Sequence, residues 1–188
     1  MHLYLIGYRG SGKSTIGRVL AQRLKRPFVD SDDLIEAQCR MSIKDIFATQ
    51  GEPWFRDLEA TIVTEASVLP IPTVVALGGG AVLREATQAV LQSTGKCIWL
   101  SASAEYLFQR IQSDQATQLR RPNLSQSGGF AEVADILCKR IPIYERLSDI
   151  TVSVESKTPD EICEEIANCV DSANAERHRI SRHGASGR

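Results

Sequence analysis

LYLIGYRGSGKSTIG, residues 3–17, is the stretch of sequence that most constrains the fold. Four strand-forming residues lead into a glycine-rich turn, and an apolar pattern with helical spacing follows. Gly7, Gly12, Lys13 and Ser14 match the spacing Gly-x-x-x-x-Gly-Lys-Ser/Thr. Glycine permits positive φ, so successive backbone N–H groups can converge on one phosphate, and the N-terminus of the next helix adds its dipole. The stretch therefore predicts a loop that binds the phosphates of a nucleotide.

The side chains of this loop suit the chemistry of phosphates. Lys13 can reach the outer phosphates of the nucleotide, and the hydroxyl of Ser14 can ligate Mg²⁺. The alternative is a glycine-rich turn with an incidental lysine. At average residue usage this spacing arises by chance on the order of once in a few hundred chains of this length. The strand before it and the helix after it favour the phosphate-binding interpretation.

Composition and charge narrow the class of protein. The chain has 188 residues, 43% of them hydrophobic, which suits one domain with a single core. A net charge of −1 argues against a dedicated nucleic-acid or anionic-membrane binder, and no apolar run approaches the roughly 20 residues that span a bilayer. Its five cysteines are widely spaced, as is typical of a reducing compartment. We expect a cytoplasmic monomer that acts on a small molecule, without a nucleic-acid or membrane partner.

Short β-rich runs alternate with longer amphipathic stretches along the chain. Strands are predicted at 3–7, 27–30, 73–77, 97–101 and 149–153. Helices are predicted near 13–25, 32–39, 43–49, 55–68, 84–93, 103–112, 131–146 and 159–171, the last with Thr158 and Glu161 as a capping box. This alternation predicts an α/β fold with a mostly parallel sheet that helices cover on both faces.

The predicted second strand ends in FVDSDD, which places Asp30 and Asp32 two residues apart. If the chain is still extended there, both side chains leave the same face at the carboxyl end of the sheet, where ligands bind. One carboxylate could then support Mg²⁺ and the other accept a proton from a substrate hydroxyl. Alternatively, Asp32 and Asp33 begin a helix, whose dipole favours acidic residues. These residues alone leave both interpretations open.

The third predicted strand runs into Gly78–Gly80, where phosphate-binding-loop proteins often have a metal-supporting aspartate. Three consecutive glycines lose much conformational entropy on folding, and a close approach of the backbone to a ligand would explain them. A plain tight turn is the alternative. The missing aspartate favours Asp30 in the metal-supporting role. Arg56, Arg121 and Arg140 lie beside these motifs, and guanidinium groups bind carboxylate or phosphate with two parallel hydrogen bonds.

Taken in order, the motifs resemble those of the shikimate kinases, P-loop enzymes that phosphorylate the 3-hydroxyl of shikimate in aromatic amino-acid biosynthesis. The matching segments are GYRGSGKST (7–15), DSD (30–32), GEPWFRDLE (51–59), LGGG (77–80), RRP (120–122) and RIPIYE (140–145). The resemblance covers about residues 3–171 and implies a three-layer α/β/α fold with a five-stranded parallel sheet in the order 2-3-1-4-5. It also implies a substrate-binding helical region at about 32–60 and a mobile lid at about 112–129. Residues 172–188 are predicted to be a disordered tail.

The resemblance assigns roles to residues at matching positions. It implies that ATP is bound by Gly10, Ser11, Gly12, Lys13, Ser14, Thr15, Arg121 and Lys157, with Arg110 as a further candidate. It implies that shikimate is bound by Asp32, Arg56, Gly79 and Arg140, and that Mg²⁺ is held by Ser14 and, through water, Asp30. Lys13, Asp32 and Arg121 would be the catalytic residues, with Asp32 as the base.

Alternatives remain open both for the lid arginine and for the function. The segment between Arg110 and Arg121 is a few residues longer than the family pattern, so Arg120 could replace Arg121. A kinase acting on another hydroxy acid, such as a gluconate kinase, has a substrate of similar chemistry, and a non-catalytic nucleotide-binding module would retain the same loop.

Overall fold

The computed structural model describes residues 1–114 and 129–170, which build a sheet of five parallel strands. The strands are β1 (His2–Ile6), β2 (Phe28–Asp30), β3 (Val74–Ala76), β4 (Gly95–Ser101) and β5 (Ile150–Ser153). Their order in the sheet is β2-β3-β1-β4-β5, and each neighbouring pair is parallel. Both the strand positions and the order 2-3-1-4-5 are therefore confirmed.

Helices connect the strands. They are α1 (Lys13–Leu24), α2 (Ser31–Cys39), α3 (Ile43–Ser67), α4 (Glu85–Thr94), α5 (Ala104–Ser113), α6 (Gly129–Leu147) and α7 over residues 159–170. A 3₁₀ turn at Ala81–Leu83 precedes α4. The backbone N–H of Glu161 donates to the Thr158 hydroxyl and the Glu161 carboxylate accepts from the Thr158 N–H, so the predicted capping box forms at the start of α7.

Side chains alternate across the central strand β1, whose five residues are all buried. Leu3 and Leu5 pack in one core with side chains of α1 and α7. Tyr4 and Ile6 pack in a second core with side chains of α3, α4 and α6. Since successive strand residues point to opposite faces, this alternation produces the three layers predicted for the fold. It also places the loop after β1 at the middle of the sheet edge, where ligands bind in parallel α/β folds.

The long helix α3 is interrupted near its middle. Gly51 has φ 81° and ψ 170°, which is not helical, and Pro53 follows it inside the helix. Proline lacks an N–H and its ring clashes with the preceding turn, so the chain leaves helical geometry just before it. The two helices predicted at 43–49 and 55–68 are therefore the two halves of α3.

Parts of the predicted organisation lie outside the described residues. Of the predicted lid at 112–129, only 112–114 and 129 are described, at the end of α5 and the beginning of α6. The predicted tail at 172–188 lies wholly outside, as do Arg120 and Arg121. Within residues 1–114 and 129–170, no helix is both long and apolar enough to cross a membrane.

Gly95, the first residue of β4, should contribute to the stability of the fold because a side chain has no room there. A Cβ built there would lie 2.6 Å from the backbone oxygen of His2 and 2.5 Å from the Tyr4 ring. Gly95→Ala therefore forces the central strands apart, and we expect the free energy of unfolding to fall by about 1–3 kcal/mol, measured by urea denaturation. Gln92→Ala, at an exposed position of α4, is the control and should leave it unchanged within error.

Candidate active site

The loop between β1 and α1 has the backbone conformation that its glycines predict. Gly7, Gly10 and Gly12 have φ values of 141°, 84° and 85°. A Cβ on Gly7 would lie 2.7 Å from the backbone oxygen of Leu100, so only glycine fits at that position. The loop ends at Lys13, the first residue of α1, where the helix N-terminus favours an anion.

The Lys13 side chain folds back over this loop. Its ammonium donates to the backbone oxygens of Gly7 and Tyr8, both at 2.8 Å, and to the hydroxyl of Ser11 at 3.4 Å. Ser11 is itself buried. The backbone of the loop therefore holds a positive charge at the N-terminus of α1, which suits an anionic ligand.

Ser14, Asp30 and Asp32 form a second cluster beside the loop. The Ser14 hydroxyl donates to Asp30 Oδ2 at 2.6 Å, and the backbone N–H of Asp32 donates to Asp30 Oδ1 at 2.9 Å. Asp30 ends β2 and is the N-cap of α2, while Asp32 and Asp33 lie in the first turn of that helix. Of the two interpretations that the sequence left open, the helix start is therefore correct, and the chain is not extended from Asp30 to Asp32. Asp30 and Asp32 nevertheless border the same cleft.

The three glycines after β3 bring the backbone against two arginines. The Gly79 oxygen accepts from Arg140 at 3.0 Å and from the Tyr144 hydroxyl at 2.9 Å. A Cβ on Gly80 would lie 2.3 Å from a terminal nitrogen of Arg56. The N–H of Gly78 is fixed by the Ser31 hydroxyl at 2.9 Å. The glycines thus make room for guanidinium groups, a reason that the sequence interpretation did not include.

Arg56 is held by acidic side chains of its own helix. Its guanidinium contacts Glu59 at 2.7 Å and Glu52 at 3.0 Å. Glu59 is buried, whereas the side chain of Glu52 is 55% exposed. Two carboxylates of α3 therefore orient a nearly buried guanidinium beside the glycine turn.

A cleft of about 290 Å³ opens between these groups. Its lining comprises Arg9, Gly10, Gly12, Lys13, Ser14, Thr15, Asp30, Asp32, Leu77, Gly79, Arg110, Ser113 and Asp114. The cleft is bordered by a phosphate-binding loop, by two acids and by Gly79, whose turn two buried arginines contact from behind. These are groups that phosphoryl transfer to a hydroxy acid needs.

Comparison with known proteins agrees with this geometry. The family model described as "Shikimate kinase" matches residues 9–171. The chain belongs to the shikimate kinase family. The shikimate kinase of Rhodopirellula baltica is 41% identical over 172 residues, which are 92% of this chain and 91% of that protein. The shikimate kinase of Nitrobacter winogradskyi is 45% identical over 151 residues, which are 80% of this chain and 68% of that protein.

Solved structures show the same fold. Shikimate kinase from Acinetobacter baumannii in complex with shikimate matches with a TM-score of 0.85 and 30% identity, covering 92% of this chain and 93% of that one. Shikimate kinase from Aquifex aeolicus matches with a TM-score of 0.77 and 30% identity, covering 93% of this chain and 98% of that one. A gluconokinase from Sinorhizobium meliloti, at a TM-score of 0.58 and 16% identity, covers 95% of this chain and 96% of its own, and shares the fold alone.

Most residues that the shikimate kinase resemblance selected lie together. Those in the lining of the cleft are Gly10, Gly12, Lys13, Ser14, Thr15, Asp30, Asp32, Gly79 and Arg110. Ser11 lies within the loop, and Arg56 and Arg140 lie behind the glycine turn. Lys157 is outside the lining and pairs with Glu165 of α7 at 2.5 Å. Its predicted contact with the nucleotide stays a prediction.

Sequence reasoning missed Arg9, although it lies inside the GYRGSGKST motif. Its side chain borders the cleft and pairs with Glu132 of α6 at 3.3 Å. The available signal was the position itself, because a charged residue between Gly7 and Gly10 is close to any bound phosphate. Its partner is 123 positions away in the sequence, which no local pattern indicates.

The structure also raises the pKa of Asp30. Burial is the main cause, the charges of Asp32 and Asp33 add to it, and the hydrogen bond from Ser14 opposes it. A raised pKa means that the folded protein binds this proton more readily than the unfolded chain does. The ionised carboxylate therefore destabilises the fold at neutral pH, and this penalty decreases as the pH falls toward the ordinary pKa of an aspartate.

Asp30→Asn should consequently stabilise the protein in the absence of nucleotide and metal. We expect its melting temperature to exceed that of the wild type by a few degrees at pH 8, because the neutral amide avoids the cost of a buried charge. The difference should shrink at pH 5. Thermal unfolding at both pH values measures this, with exposed Asp135→Asn as the matched control. A melting temperature below that of the wild type at pH 8 would contradict the pKa argument.

Proposed function

We propose that the protein transfers the γ-phosphoryl group of ATP to the 3-hydroxyl of shikimate, which gives shikimate 3-phosphate and ADP. The observation that carries this proposal is the cleft itself, in which the Lys13 loop, the Asp30–Asp32 cluster and the Arg140-bound Gly79 turn meet. Membership of the shikimate kinase family supports the choice of acceptor. We further propose that the protein acts as a monomer without a nucleic-acid partner, which size-exclusion chromatography and a DNA- and RNA-binding assay test.

The phosphates of ATP would bind over the loop formed by residues 7–15. Backbone N–H groups and the α1 dipole would hold the β-phosphate, and the Lys13 ammonium would neutralise charge on the outer phosphates. In this structure Lys13 is already directed along the loop by two carbonyl oxygens. A small movement of its ammonium toward the phosphates would exchange those partners for a stronger anionic one.

The donor set at Ser14 and Asp30 fits Mg²⁺. In the described part of the chain, no group of three or more His, Cys, Asp or Glu side chains could hold a metal ion by itself. Mg²⁺ is usually bound by one or two protein oxygens together with phosphate and water, and a hydroxyl bonded to a buried carboxylate meets that description. When bound, the ion would neutralise phosphate charge; Ser14 would be its direct ligand and Asp30 would act through water.

The acceptor would bind between the acids and the glycine turn. The guanidinium groups of Arg56 and Arg140 would hold the shikimate carboxylate, and the backbone of Gly79 would contact the ring substituents. Both arginines are buried, so the ion pairs with the ligand would form where water competes little. The Acinetobacter baumannii enzyme, solved with shikimate, is the structural precedent for this acceptor.

Asp32 would accept the proton of the reacting hydroxyl. It borders the cleft in the first turn of α2, next to the Asp30 cluster. Phosphoryl transfer depends mainly on positioning and charge neutralisation, so Lys13 and a further arginine would supply most of the rate enhancement. The predicted arginine, Arg121 or its neighbour Arg120, lies outside the described residues, and its role remains a prediction.

A coupled assay of ADP release tests the proposed function. ATP and Mg²⁺ are supplied with shikimate, with gluconate, or with no acceptor, and the product is identified by mass spectrometry. We expect turnover with shikimate far above the other two. Turnover with gluconate alone would assign the protein to the alternative kinase activity, and ATP binding without turnover on either acid would indicate a non-catalytic nucleotide-binding module.

Lys13→Met should nearly abolish turnover. Methionine preserves much of the side-chain volume but removes the charge that neutralises the transferring phosphate, so kcat should fall by at least about a hundredfold. Steady-state kinetics with saturating shikimate measures this. Lys44→Met, on the exposed face of α3, is the matched control and should retain wild-type kcat. Normal turnover by the Lys13 variant would refute the role of the loop.

Arg140→Ala should impair use of the acceptor and spare binding of the nucleotide. The variant loses a charged hydrogen-bond donor to the carboxylate, so the KM for shikimate should rise by at least about tenfold. Tyr144 still donates to the Gly79 oxygen, so the glycine turn should keep its position. The adjacent Lys139→Ala, at a side chain that is 74% exposed, is the control. An unchanged KM for shikimate would remove Arg140 from the acceptor site.

A further inference from the structure

An ion pair links the phosphate-binding loop to helix α6. The guanidinium of Arg9 lies 3.3 Å from the carboxylate of Glu132, and their side chains are only 13% and 1% exposed. Arg9 is the second residue after Gly7 in the loop, and Glu132 lies in the first turn of α6. The pair therefore joins two elements that meet only through the tertiary fold.

The same helix carries the proposed carboxylate-binding arginine. Arg140 follows Glu132 by eight residues, or about 2.2 helical turns, so the two side chains leave α6 roughly 80° apart around its axis. The guanidinium carbons of Arg9 and Arg140 lie 5.9 Å and 5.5 Å from the centre of the Tyr8 ring. Tyr8 is buried in a core cluster with Val133 and Leu137 of that helix. The ring and the two arginines thus form one packed unit between the loop and α6.

Helix α6 is consequently attached to the site at two points. Near its beginning Glu132 binds Arg9, and farther along Arg140 and Tyr144 donate to the Gly79 oxygen. The backbone at Gly79 also approaches the loop, because a Cβ on Gly79 would lie 3.4 Å from the backbone nitrogen of Arg9. Two attachments specify both the position and the rotation of a helix, whereas one leaves the rotation less restricted.

We propose that Arg9 and Glu132 are positioning residues whose ion pair holds α6 against the phosphate-binding loop and thereby keeps Arg140 directed at the carboxylate of the acceptor. This inference rests on the proposed function of the same site. A buried ion pair contributes little net stabilisation, but it fixes the relative position of the two elements that it joins. Its loss should therefore appear in acceptor binding, through Arg140, rather than in binding of the nucleotide.

Glu132→Gln is the sharpest variant because it changes one atom and leaves the sequence of the loop intact. We expect the KM for shikimate to rise five- to tenfold while kcat stays within threefold of the wild type. The dissociation constant of a non-hydrolysable ATP analogue, measured by calorimetry, should stay within twofold. Arg9→Met should raise the KM similarly. The double variant should resemble the single variants rather than multiply their effects, since both remove one interaction.

Arg84→Met is the matched control. Arg84 also pairs with an acid of another element, Asp57 at 2.6 Å, but these side chains are 40% and 71% exposed. Its kinetic constants should equal those of the wild type. Arg9→Lys, which keeps the positive charge, should restore most of the affinity for the acceptor and provides the Arg9 test if the methionine variant does not fold.

The outcomes separate this inference from the proposed function. Absence of wild-type turnover on shikimate would contradict the function itself. With an active wild type, an unchanged KM in Glu132→Gln would overturn the positioning role. A fall in kcat at constant KM in Arg9→Met would also overturn it, and would indicate that Arg9 contacts the transferring phosphate directly. A lower melting temperature with all kinetic constants preserved would mean that the pair is only structural.

Discussion

The site depends on a close contact between Gly7, which directly follows β1, and the backbone oxygen of Leu100 in β4. Because no side chain separates them, the loop leaves the central strand at once and turns beside β4. That turn presents the carbonyl oxygens of Gly7 and Tyr8 to Lys13 and positions the beginning of α1. The β1 strand itself is buried on both faces, so the loop begins from a rigid support.

Charge at the site is distributed unevenly among the arginines. Among the described residues, Arg56 pairs with Glu52 and Glu59, and Arg9 pairs with Glu132, so carboxylates of the protein offset positive charge at both arginines. Arg140, in contrast, donates to a carbonyl oxygen and lies over the ring of Tyr8, contacts that orient a guanidinium without cancelling its charge. Of these three arginines, Arg140 therefore has its positive charge least offset by carboxylates, which agrees with its proposed role in binding an anionic acceptor.

Local sequence patterns predicted those parts of the structure that depend on local physics. The loop follows from glycine spacing, and the break in α3 follows from Gly51 and Pro53. The strand order came from the family resemblance, because periodicity carries no information on which strands are neighbours. The pattern also could not decide the conformation after Asp30, because the same residues suit a strand end and a helix start; in the structure Asp30 caps α2 by accepting from the Asp32 N–H. The Arg9–Glu132 pair required the tertiary structure.

Gly80 illustrates how a residue without a side chain can determine where another side chain lies. The space that its Cβ would occupy is filled by the guanidinium of Arg56. Any other amino acid at this position would displace that group and leave Glu59 buried beside a vacated volume. A substitution at Gly80, which is not part of the cleft lining, can therefore change the position of Arg56 and with it the proposed carboxylate-binding site.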